Sequence, residues 1–323
     1  MEQLNEIKKR MRSINDIKQT TNAMHLISSV KMKRARSQLS KTLPFFDLCR
    51  ATMAEIYIQR DQLQHPFFNQ HKKKKGEPWV VGYFILTGDQ GLAGAYNLNV
   101  ITTAQNYINK NMIEKAKMGI SAIPKLFIAG KTGKDQFKKA GFDIVEDFEY
   151  PIDSPTFYRA RDISDYFHDL YDDHKLDSIY AVYTRINSAV DIKPVAMKLI
   201  PISSEDLLEG VNLDAYKKMM PDPATLNIEF IPSPFEVMDY LAKTYLNGMI
   251  YGALTEAYAS EQTTRMTAMK NATDNAEDIL DRLTLMSNRA RQGKITEEIN
   301  EVVSGSESLN KSEQDISEQD EGE

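Results

Sequence analysis

The stretch SPFEVMDYLAKTYLNGMIYGALTEAYASEQ, residues 233–262, decides the fold. Its first four residues place serine at a cap, proline at the first helical position and glutamate at the third, which is a capping box and marks a helix start. Apolar residues then follow at the three- and four-residue spacing of a helix, beginning with Met238, Leu241 and Tyr245. No proline occurs after this start. The sequence therefore predicts one long C-terminal helix.

The predicted C-terminal helix is too long for a compact globule. The centre of its stripe holds small side chains, which allow another helix to approach closely: Ala253, Ala257, Ser260, Thr264 and Ala268. From Phe235 to about Val303 it would measure roughly 100 Å, whereas a globule of this chain length has a radius of gyration of about 20 Å. We expect it to pair with a second helix and to be buried further by other chains. A helical bundle, broken at Gly293 or within NATDNAED (271–278), stays open.

The N-terminal flank carries a second helical pattern, from about residue 3 to 43 or past Pro44 with a kink. Its apolar residues step by three and four, and the stripe restarts once: Leu4, Ile7, Met11, Ile14 and Ile17. Thr and Ser stand farther along the same seam, so this interrupted coiled-coil helix should be marginal alone. The N-terminal helix therefore also needs a partner helix.

The two ends of the chain have opposite charge. Residues 1–43 hold ten Lys or Arg and three acidic residues, whereas residues 306–323 hold seven acidic residues and one lysine. A basic end suits nucleic acid or an acidic protein surface, because Coulomb attraction does not distinguish phosphate from carboxylate. No aromatic residues interleave the basic ones as in a nucleic-acid interface, which disfavours nucleic acid, although a basic helix in a groove stays possible.

Residues 78 to about 200 follow an α/β pattern. Four continuous apolar runs are typical of buried strands: WVVGYFIL from Trp79, KLFIAG (125–130), SIYAVYTRI (178–186) and VAMKLIPI (195–202). A helical pattern through Asn106 and Ile113 follows the first strand, and another near 134–140 follows the second. A third helical pattern, from about Tyr158 to Tyr171, precedes the third strand. This alternation predicts a mostly parallel sheet with at least one antiparallel addition.

Two glycine-containing turns raise the question of a nucleotide site. Gly88, Gly91 and Gly94 have the spacing GxxGxxG, unlike the GxGxxG of a dinucleotide-binding turn. The string AGKTGKDQF from Ala129 resembles a phosphate loop, but it lacks one glycine and has Asp135 where Ser or Thr would bind magnesium. We interpret both as tight strand-to-helix turns, with nucleotide binding as the less favoured alternative.

The sequence shows no catalytic constellation and no metal-binding motif. The five histidines include no HExxH motif, and His168, beside Asp172 and Asp173, is interpreted as solvated surface. Cys49 is the single cysteine, which excludes an intrachain disulfide and indicates an inert packed residue. No stretch approaches the roughly 20 consecutive apolar residues that cross a bilayer. The start MEQLNEIKKR lacks the apolar core of a signal peptide, so we expect the protein to stay where it is made.

Three separated blocks of the sequence carry a family signature. The first is IKKRMRSINDIKQTTNAMHLISSVKMKRAR from residue 7, and the second is ILTGDQGLAGAYN from residue 85. The third joins SEQTTRMTAMKNATDNAEDIL to RARQGKITEEINEVVSG within residues 260–305. These blocks resemble the gamma subunit of F-type ATP synthases, the central rotor shaft. They occur in the family's order, and together they cover essentially residues 1 to 305.

The resemblance implies an α+α/β fold: a long antiparallel coiled coil of the N- and C-terminal helices plus a Rossmann-like α/β domain. It places the shaft in a ring of alternating alpha and beta subunits, with the epsilon subunit and the ring of c subunits at its lower end. Ion flow would turn the c ring and the shaft, whose differential contacts change the catalytic beta subunits. The chain itself would be non-catalytic, with no cofactor and no nucleic-acid partner. It would lie at the cytoplasmic face of a bacterial inner membrane without entering the bilayer.

The resemblance also implies six subunit-coupling contacts: Met24, Gln262, Arg265, Gln292, Thr296 and Glu298. Met24 matches a shaft methionine close to the C-terminal segment that contains the last three. Arg265 matches a residue that bonds to a beta-subunit loop, with Gln262 as its companion. Ordinary coiled-coil surface is the alternative for all six.

The expected boundaries are an N-terminal coiled-coil helix (1–60), a linker (61–77), an α/β domain (78–210), a connecting segment (211–232), a C-terminal coiled-coil helix (233–305) and an acidic tail (306–323). The tail departs from the family pattern and, being rich in Ser, Glu and Asp, is expected to be disordered. The segment HPFFNQHKKKKGEP (65–78) resembles an enlarged connection and is expected to be solvated. A scaffold with coiled-coil arms and an α/β enzyme with a helical stalk stay open as other classes.

Overall fold

The computed structural model of the chain describes residues 2–59, 65–74, 76–186, 191–202, 207 and 230–320. Its elements are, in chain order, α1 (Glu2–Gln59), β1 (Trp79–Leu86), α2 (Tyr96–Lys117), β2 (Ala122–Ala129), α3 (Lys131–Lys139), α4 (Phe157–Asp172), β3 (Ser178–Ile186), β4 (Ile192–Ile200) and α5 (Pro234–Asp320). The chain divides into two compact units: the helix-pair unit (1–26 and 269–323) and the α/β unit (27–268).

In the helix-pair unit the two ends of the chain run antiparallel. Lys18 Nζ lies 2.9 Å from Glu277 Oε1, and Thr21 Oγ1 lies 2.8 Å from Thr273 Oγ1, so the partner's number falls as the residue number rises. The buried side chains of the unit are small or apolar: Ile7, Met269, Ala276 and Leu283. The pairing of the terminal helices that the sequence predicts is therefore present.

α5 continues past its expected end, whereas α1 ends next to its expected boundary at residue 60. α1 runs through Pro44 to Gln59, and α5 runs past Gly305 to Asp320. The tail that was expected to be disordered from residue 306 is thus helical as far as Asp320, which corrects the boundary at 305. No proline blocks the helix there, and a glycine inside a helix costs only about 1 kcal/mol relative to alanine.

The α/β unit is built on a four-stranded mixed sheet with strand order β2-β1-β3-β4. β1 pairs in parallel with β2 and with β3, whereas β4 pairs antiparallel to β3. This confirms the predicted parallel sheet with one antiparallel addition. The predicted bounds of β1 and β3 match the structure, while β4 begins at Ile192 rather than 195 and ends at Ile200.

Helices cover both faces of the sheet. Val81, Tyr83 and Ile85 of β1 belong to the core formed with α2 and α3. Phe84 and Leu86 belong to the core formed with α4, which also receives side chains of α1 and α5: Met53, Ile56, Leu246, Ile250 and Leu254. Successive residues of a strand point to opposite faces, so a strand buried on both faces is a continuous apolar run.

Residues 65–74 correct the expectation of a solvated linker, and we call them the strap. Phe67 is buried, and its carbonyl accepts a hydrogen bond from the Ile202 amide at 2.7 Å. The fully buried carboxylate of Asp177 lies 3.2 Å from His71 Nδ1 and 2.9 Å from Lys73 Nζ. The strap is therefore anchored to the α/β unit by apolar burial, by the ion pair of Lys73 with Asp177 and by the hydrogen bond between His71 and Asp177.

The expectation for His168 is also corrected. Its side chain is only 15% exposed, and its ring centroid lies 5.2 Å from that of Phe67 in the strap. Cys49 is buried as predicted, and burial raises the pKa of its thiol. Most of the predicted connecting segment, residues 211–229, lies outside the described residues, as do 60–64 and Lys75 of the predicted linker.

Candidate coupling sites

The first candidate site is an ion pair on α5. Arg265 Nη2 donates a hydrogen bond to Glu261 Oε1 at 2.5 Å, and the side chains of the two residues are only 8% and 4% exposed. The same nitrogen donates to the carbonyl oxygen of Gly91 at 3.2 Å. Arg265 therefore contacts the turn after β1 within its own chain.

The turn at residues 87–91 is held by its own side chains as well as by α5. Asp89 Oδ1 accepts a hydrogen bond from the Lys131 amide at 3.2 Å, and Asp89 Oδ2 accepts one from the Ile152 amide at 3.0 Å. A Cβ atom on Gly88 would come within 2.9 Å of the Glu261 carboxyl group. Glycine at position 88 thus permits the close approach of α5 to the turn.

A cavity of about 140 Å³ opens beside this ion pair. It is lined by charged and polar side chains, and by one apolar residue: Lys31, Asp89, Gln90, Asp153, Glu261, Gln262, Arg265 and Ile152. Burial raises the pKa of Glu261, Arg265 lowers it, and Asp89 and Asp153 raise it further. Arg265 Nε is buried without a hydrogen-bond partner within the described part of the chain. The site is therefore a nearly buried charge cluster.

A second polar contact joins α5 to β3. Arg185 Nε lies 3.6 Å from Glu256 Oε2, and Ser260 Oγ donates a hydrogen bond to the Thr184 carbonyl at 3.0 Å. Burial is the main cause of the raised pKa of Glu256, and Arg185 opposes it. α5 is thus bonded to the sheet as well as to the turn at 87–91.

The other four predicted coupling residues lie in the helix-pair unit. Met24 is half-buried, while Gln292, Thr296 and Glu298 are exposed. Because Thr21 contacts Thr273 in an antiparallel pair, Met24 lies level with residues near 270, not with 292–298. The expected proximity of Met24 to that segment is therefore wrong, since about 20 residues of helix, roughly 30 Å, separate the two levels.

The helix-pair unit exposes large apolar side chains on both helices. They are at least 41% exposed: Ile17, Leu26, Ile279, Leu285, Met286, Ile295, Ile299, Val302 and Val303. Many large exposed apolar side chains within one unit favour a surface that other chains cover. Among the described residues, no helix has the length and hydrophobicity that crossing a membrane requires.

The turn that resembles a phosphate loop has its amides already engaged. The amide of Lys131 donates to Asp89, that of Thr132 to the Gly88 carbonyl at 3.3 Å, and that of Gly133 to Thr87 Oγ1 at 3.1 Å. These are the amides that would have to face a phosphate. Their engagement supports the interpretation as a tight strand-to-helix turn.

Sequence reasoning missed Glu261. The available signal was its spacing of four residues from Arg265, which places the two side chains on one face of a helix. Such pairs usually lie on solvated surfaces, so the spacing alone did not indicate burial.

Known proteins of one kind match the chain over nearly its whole length. A family model described as ATP synthase matches residues 3–309. The ATP synthase gamma chain of Acetivibrio thermocellus is 37% identical over 309 residues, which cover 96% of this chain and 100% of the relative. That of Ruminiclostridium cellulolyticum is 39% identical over 306 residues, with 95% and 98% covered. The sodium ion specific gamma chain of Acetobacterium woodii is 32% identical over 315 residues, with 96% and 99% covered.

A solved structure shares the fold at low sequence identity. A chain of the mitochondrial ATP synthase of Euglena gracilis, from the OSCP, F1 and c-ring assembly, aligns with a TM-score of 0.54 at 14% identity. The alignment covers 95% of this chain and 94% of that chain. The resemblance seen in the three sequence blocks is confirmed, and the chain belongs to the ATP synthase gamma-chain family.

Proposed function

We propose that this chain is the central rotor shaft of an F-type ATP synthase. In this role it couples rotation of a ring of c subunits, driven by ion flow, to conformational change in catalytic beta subunits. The chain is a non-catalytic subunit, so ATP is made or hydrolysed in its partners. A shaft favours one beta conformation over another only through a difference in contact free energy. The residues on its surface, which make these contacts, therefore determine the coupling.

One observation carries this proposal: the paired chain ends leave apolar side chains of both helices exposed in the helix-pair unit. Burying one large apolar side chain contributes about 1.5–3 kcal/mol, so a surrounding ring of subunits would stabilise this unit. We propose that the pair is a coiled coil within a ring of alpha and beta subunits. We further propose that the mixed sheet and its helices are a Rossmann-like domain.

The six coupling residues are part of this proposal. Gln292, Thr296 and Glu298 are exposed and can contact beta subunits directly, as Met24 can with its exposed part. For Gln262 and Arg265, a beta-subunit loop would have to enter the cavity that they line, because both side chains are nearly buried. The epsilon subunit and the c ring are the other proposed partners, at the cytoplasmic face of a bacterial inner membrane.

Reconstitution tests the proposal. Alpha and beta subunits are assembled with and without this chain, and with Ile299→Asp, which places a charge on the exposed apolar surface. Asn300→Asp adds the same charge at the next position and is the matched control. We expect ATP hydrolysis to depend on the chain, Ile299→Asp to weaken its incorporation, and Asn300→Asp to leave it unchanged. Equal hydrolysis with and without the chain would show that it is not the shaft.

A further inference from the structure

A cavity of about 260 Å³ lies at the carboxyl end of β2, within the α/β unit. The buried residues Ile128 and Phe148 and the half-buried Tyr150 contribute to its lining. Ligands of open α/β sheets commonly bind in the crevice beyond the carboxyl ends of the strands. The cavity shares only Asp89 with the cavity beside Arg265, and no step of the proposed coupling mechanism uses it.

The segment that lines one side of this cavity, residues 146–152, is held by hydrogen bonds at three points. Lys134 Nζ donates to the carbonyl of its first residue at 2.7 Å. The Gly130 amide donates to the Tyr150 carbonyl at 3.3 Å, and the amide of the last residue donates to Asp89 Oδ2 at 3.0 Å. The cavity is therefore preformed, and a ligand does not have to order its walls on binding.

Four charged residues line the cavity, and three of them are engaged within the chain. Lys134 Nζ lies 3.4 Å from Glu149 Oε1. Both oxygens of the Asp89 carboxylate accept hydrogen bonds from backbone amides. The exposed ammonium group of Lys131, by contrast, has no hydrogen bond or ion pair with any residue that the structure describes. The charge that is left for a ligand is therefore the Lys131 cation.

We propose that this cavity binds a small aromatic carboxylate, with its ring against Phe148 and Tyr150 and its carboxylate at Lys131. The two aromatic rings have centroids 4.7 Å apart and offer the tilted contacts that a third ring prefers. Pockets for drug-sized ligands measure about 300–1,000 Å³, so a cavity of about 260 Å³ suits a compound with a single ring. The amides at the start of α3 are engaged, so the ligand is recognised by side chains and not by a phosphate cradle. An ammonium group forms charge-assisted hydrogen bonds with a carboxylate.

Three probes that share one ring and differ in charge test this ligand class. The full-length chain is titrated with para-fluorobenzoate, para-fluorobenzamide and para-fluorobenzylamine, and binding is followed by the line width of the fluorine NMR signal. We expect the benzoate to bind saturably and at least about threefold more tightly than the neutral benzamide, because an exposed ion pair adds a modest affinity. The benzylamine should bind most weakly, because its ammonium group meets the Lys131 cation.

Matched variants locate the response in the cavity. Lys131→Gln should remove the preference for the benzoate over the benzamide, because it removes the charge that distinguishes them. Tyr150→Ala should weaken the binding of both probes, because it removes part of the apolar wall but keeps the carbonyl that binds the Gly130 amide. Lys139→Gln removes the same charge from an exposed position on the same helix, outside the lining of the cavity, and should change neither affinity.

The proposal fails on either of two results. One is an unaltered chain that leaves the benzoate signal unchanged, or that binds the benzamide or the benzylamine as tightly as the benzoate. The other is a benzoate affinity that stays the same in both Lys131→Gln and Tyr150→Ala, with folding checked by circular dichroism. The titrations of the unaltered chain need no substitution, so they decide the question even where a variant does not fold.

Discussion

Replacing Arg265 with alanine should show how strongly the buried ion pair stabilises the α/β unit. Glu261 is 3% exposed, and without the guanidinium its carboxylate loses its charged partner, while the Gly91 carbonyl loses a donor. Removing one member of a buried ion pair typically costs about 3–5 kcal/mol. We expect Arg265→Ala to lower the free energy of unfolding of this unit by about that amount. Adding Glu261→Gln should recover about 1 kcal/mol or more, because a neutral amide is cheaper to bury.

The cost of Arg265→Ala should depend on pH with a definite sign. Burial already raises the pKa of Glu261 above its ordinary value, and losing Arg265 raises it further. The folded state then holds a proton that the unfolded carboxyl releases above about pH 4.3. Stability therefore falls as pH rises from there through the folded pKa. The cost should be smaller near about pH 5 than near about pH 8.

Urea unfolding followed by the fluorescence of Trp79 measures this free energy. Trp79 begins β1 and is the only tryptophan, so the signal comes from the α/β unit. Lys243→Ala is the control: Lys243 lies 3.0 Å from Asp239 in a half-exposed pair on the same helix, and such a pair contributes about 0–1 kcal/mol. Equal costs for Arg265→Ala and Lys243→Ala, or a cost that does not vary with pH, would refute the reasoning.

Five further substitutions test three other contacts of the α/β unit. Gly88→Ala should destabilise the α/β unit by about 1–3 kcal/mol, because the added Cβ meets the buried carboxyl group of Glu261. Gly91→Ala has open space around its Cβ and should leave the stability unchanged. Chemical denaturation measures both changes. Gly248→Ala should destabilise the packing of α5 on α1, because the added Cβ would overlap the ring of Phe46. Gly252→Ala has open space and should raise the melting temperature slightly, because alanine favours helix over glycine by about 1 kcal/mol. Asp177→Asn should weaken the Lys73 ion pair and the His71 hydrogen bond of the strap, and so speed cleavage of the strap by a protease; unchanged cleavage would contradict the anchoring role.

The sequence predicted those elements that a short stretch of residues specifies by itself. The capping box at the start of α5 is present: Ser233 Oγ accepts a hydrogen bond from the Glu236 amide at 3.2 Å. The apolar runs from Trp79 and from Ser178 are the two central strands β1 and β3, each with a neighbour on both sides. Because both faces of these strands are buried, nearly every residue is apolar, and the resulting continuous run identifies a strand in the sequence.

Contacts between distant positions could not be predicted in the same way. The strap has no helical or strand periodicity, and it is held by Asp177 and Ile202, which lie far along the chain. Likewise, the burial of Arg265 depends on the turn at 87–91, which its own helix does not encode. Sequence spacing put Arg265 and Glu261 on one helix face, but only the fold shows that this face is covered.

The resemblance also implied that Met24 lies close to residues 292–298, and the register of the two paired helices shows that this is wrong. Met24 was expected beside residues 292–298, whereas the contact between Thr21 and Thr273 sets a different level. Register between two antiparallel helices depends on which polar pairs meet across the seam, and many shifts of the stripe satisfy the same apolar spacing. A role for Met24 in coupling therefore stays a prediction that does not rest on this proximity.

Single-molecule rotation tests the central proposal most directly. Alpha and beta subunits are fixed to a surface with this chain assembled among them, and a probe is attached through Lys117→Cys, an exposed position in the α/β unit. Cys49 is buried, so it should not compete for the label. The account predicts that added ATP turns the probe in one direction. ATP hydrolysis that proceeds at full rate while the probe stays still would contradict it.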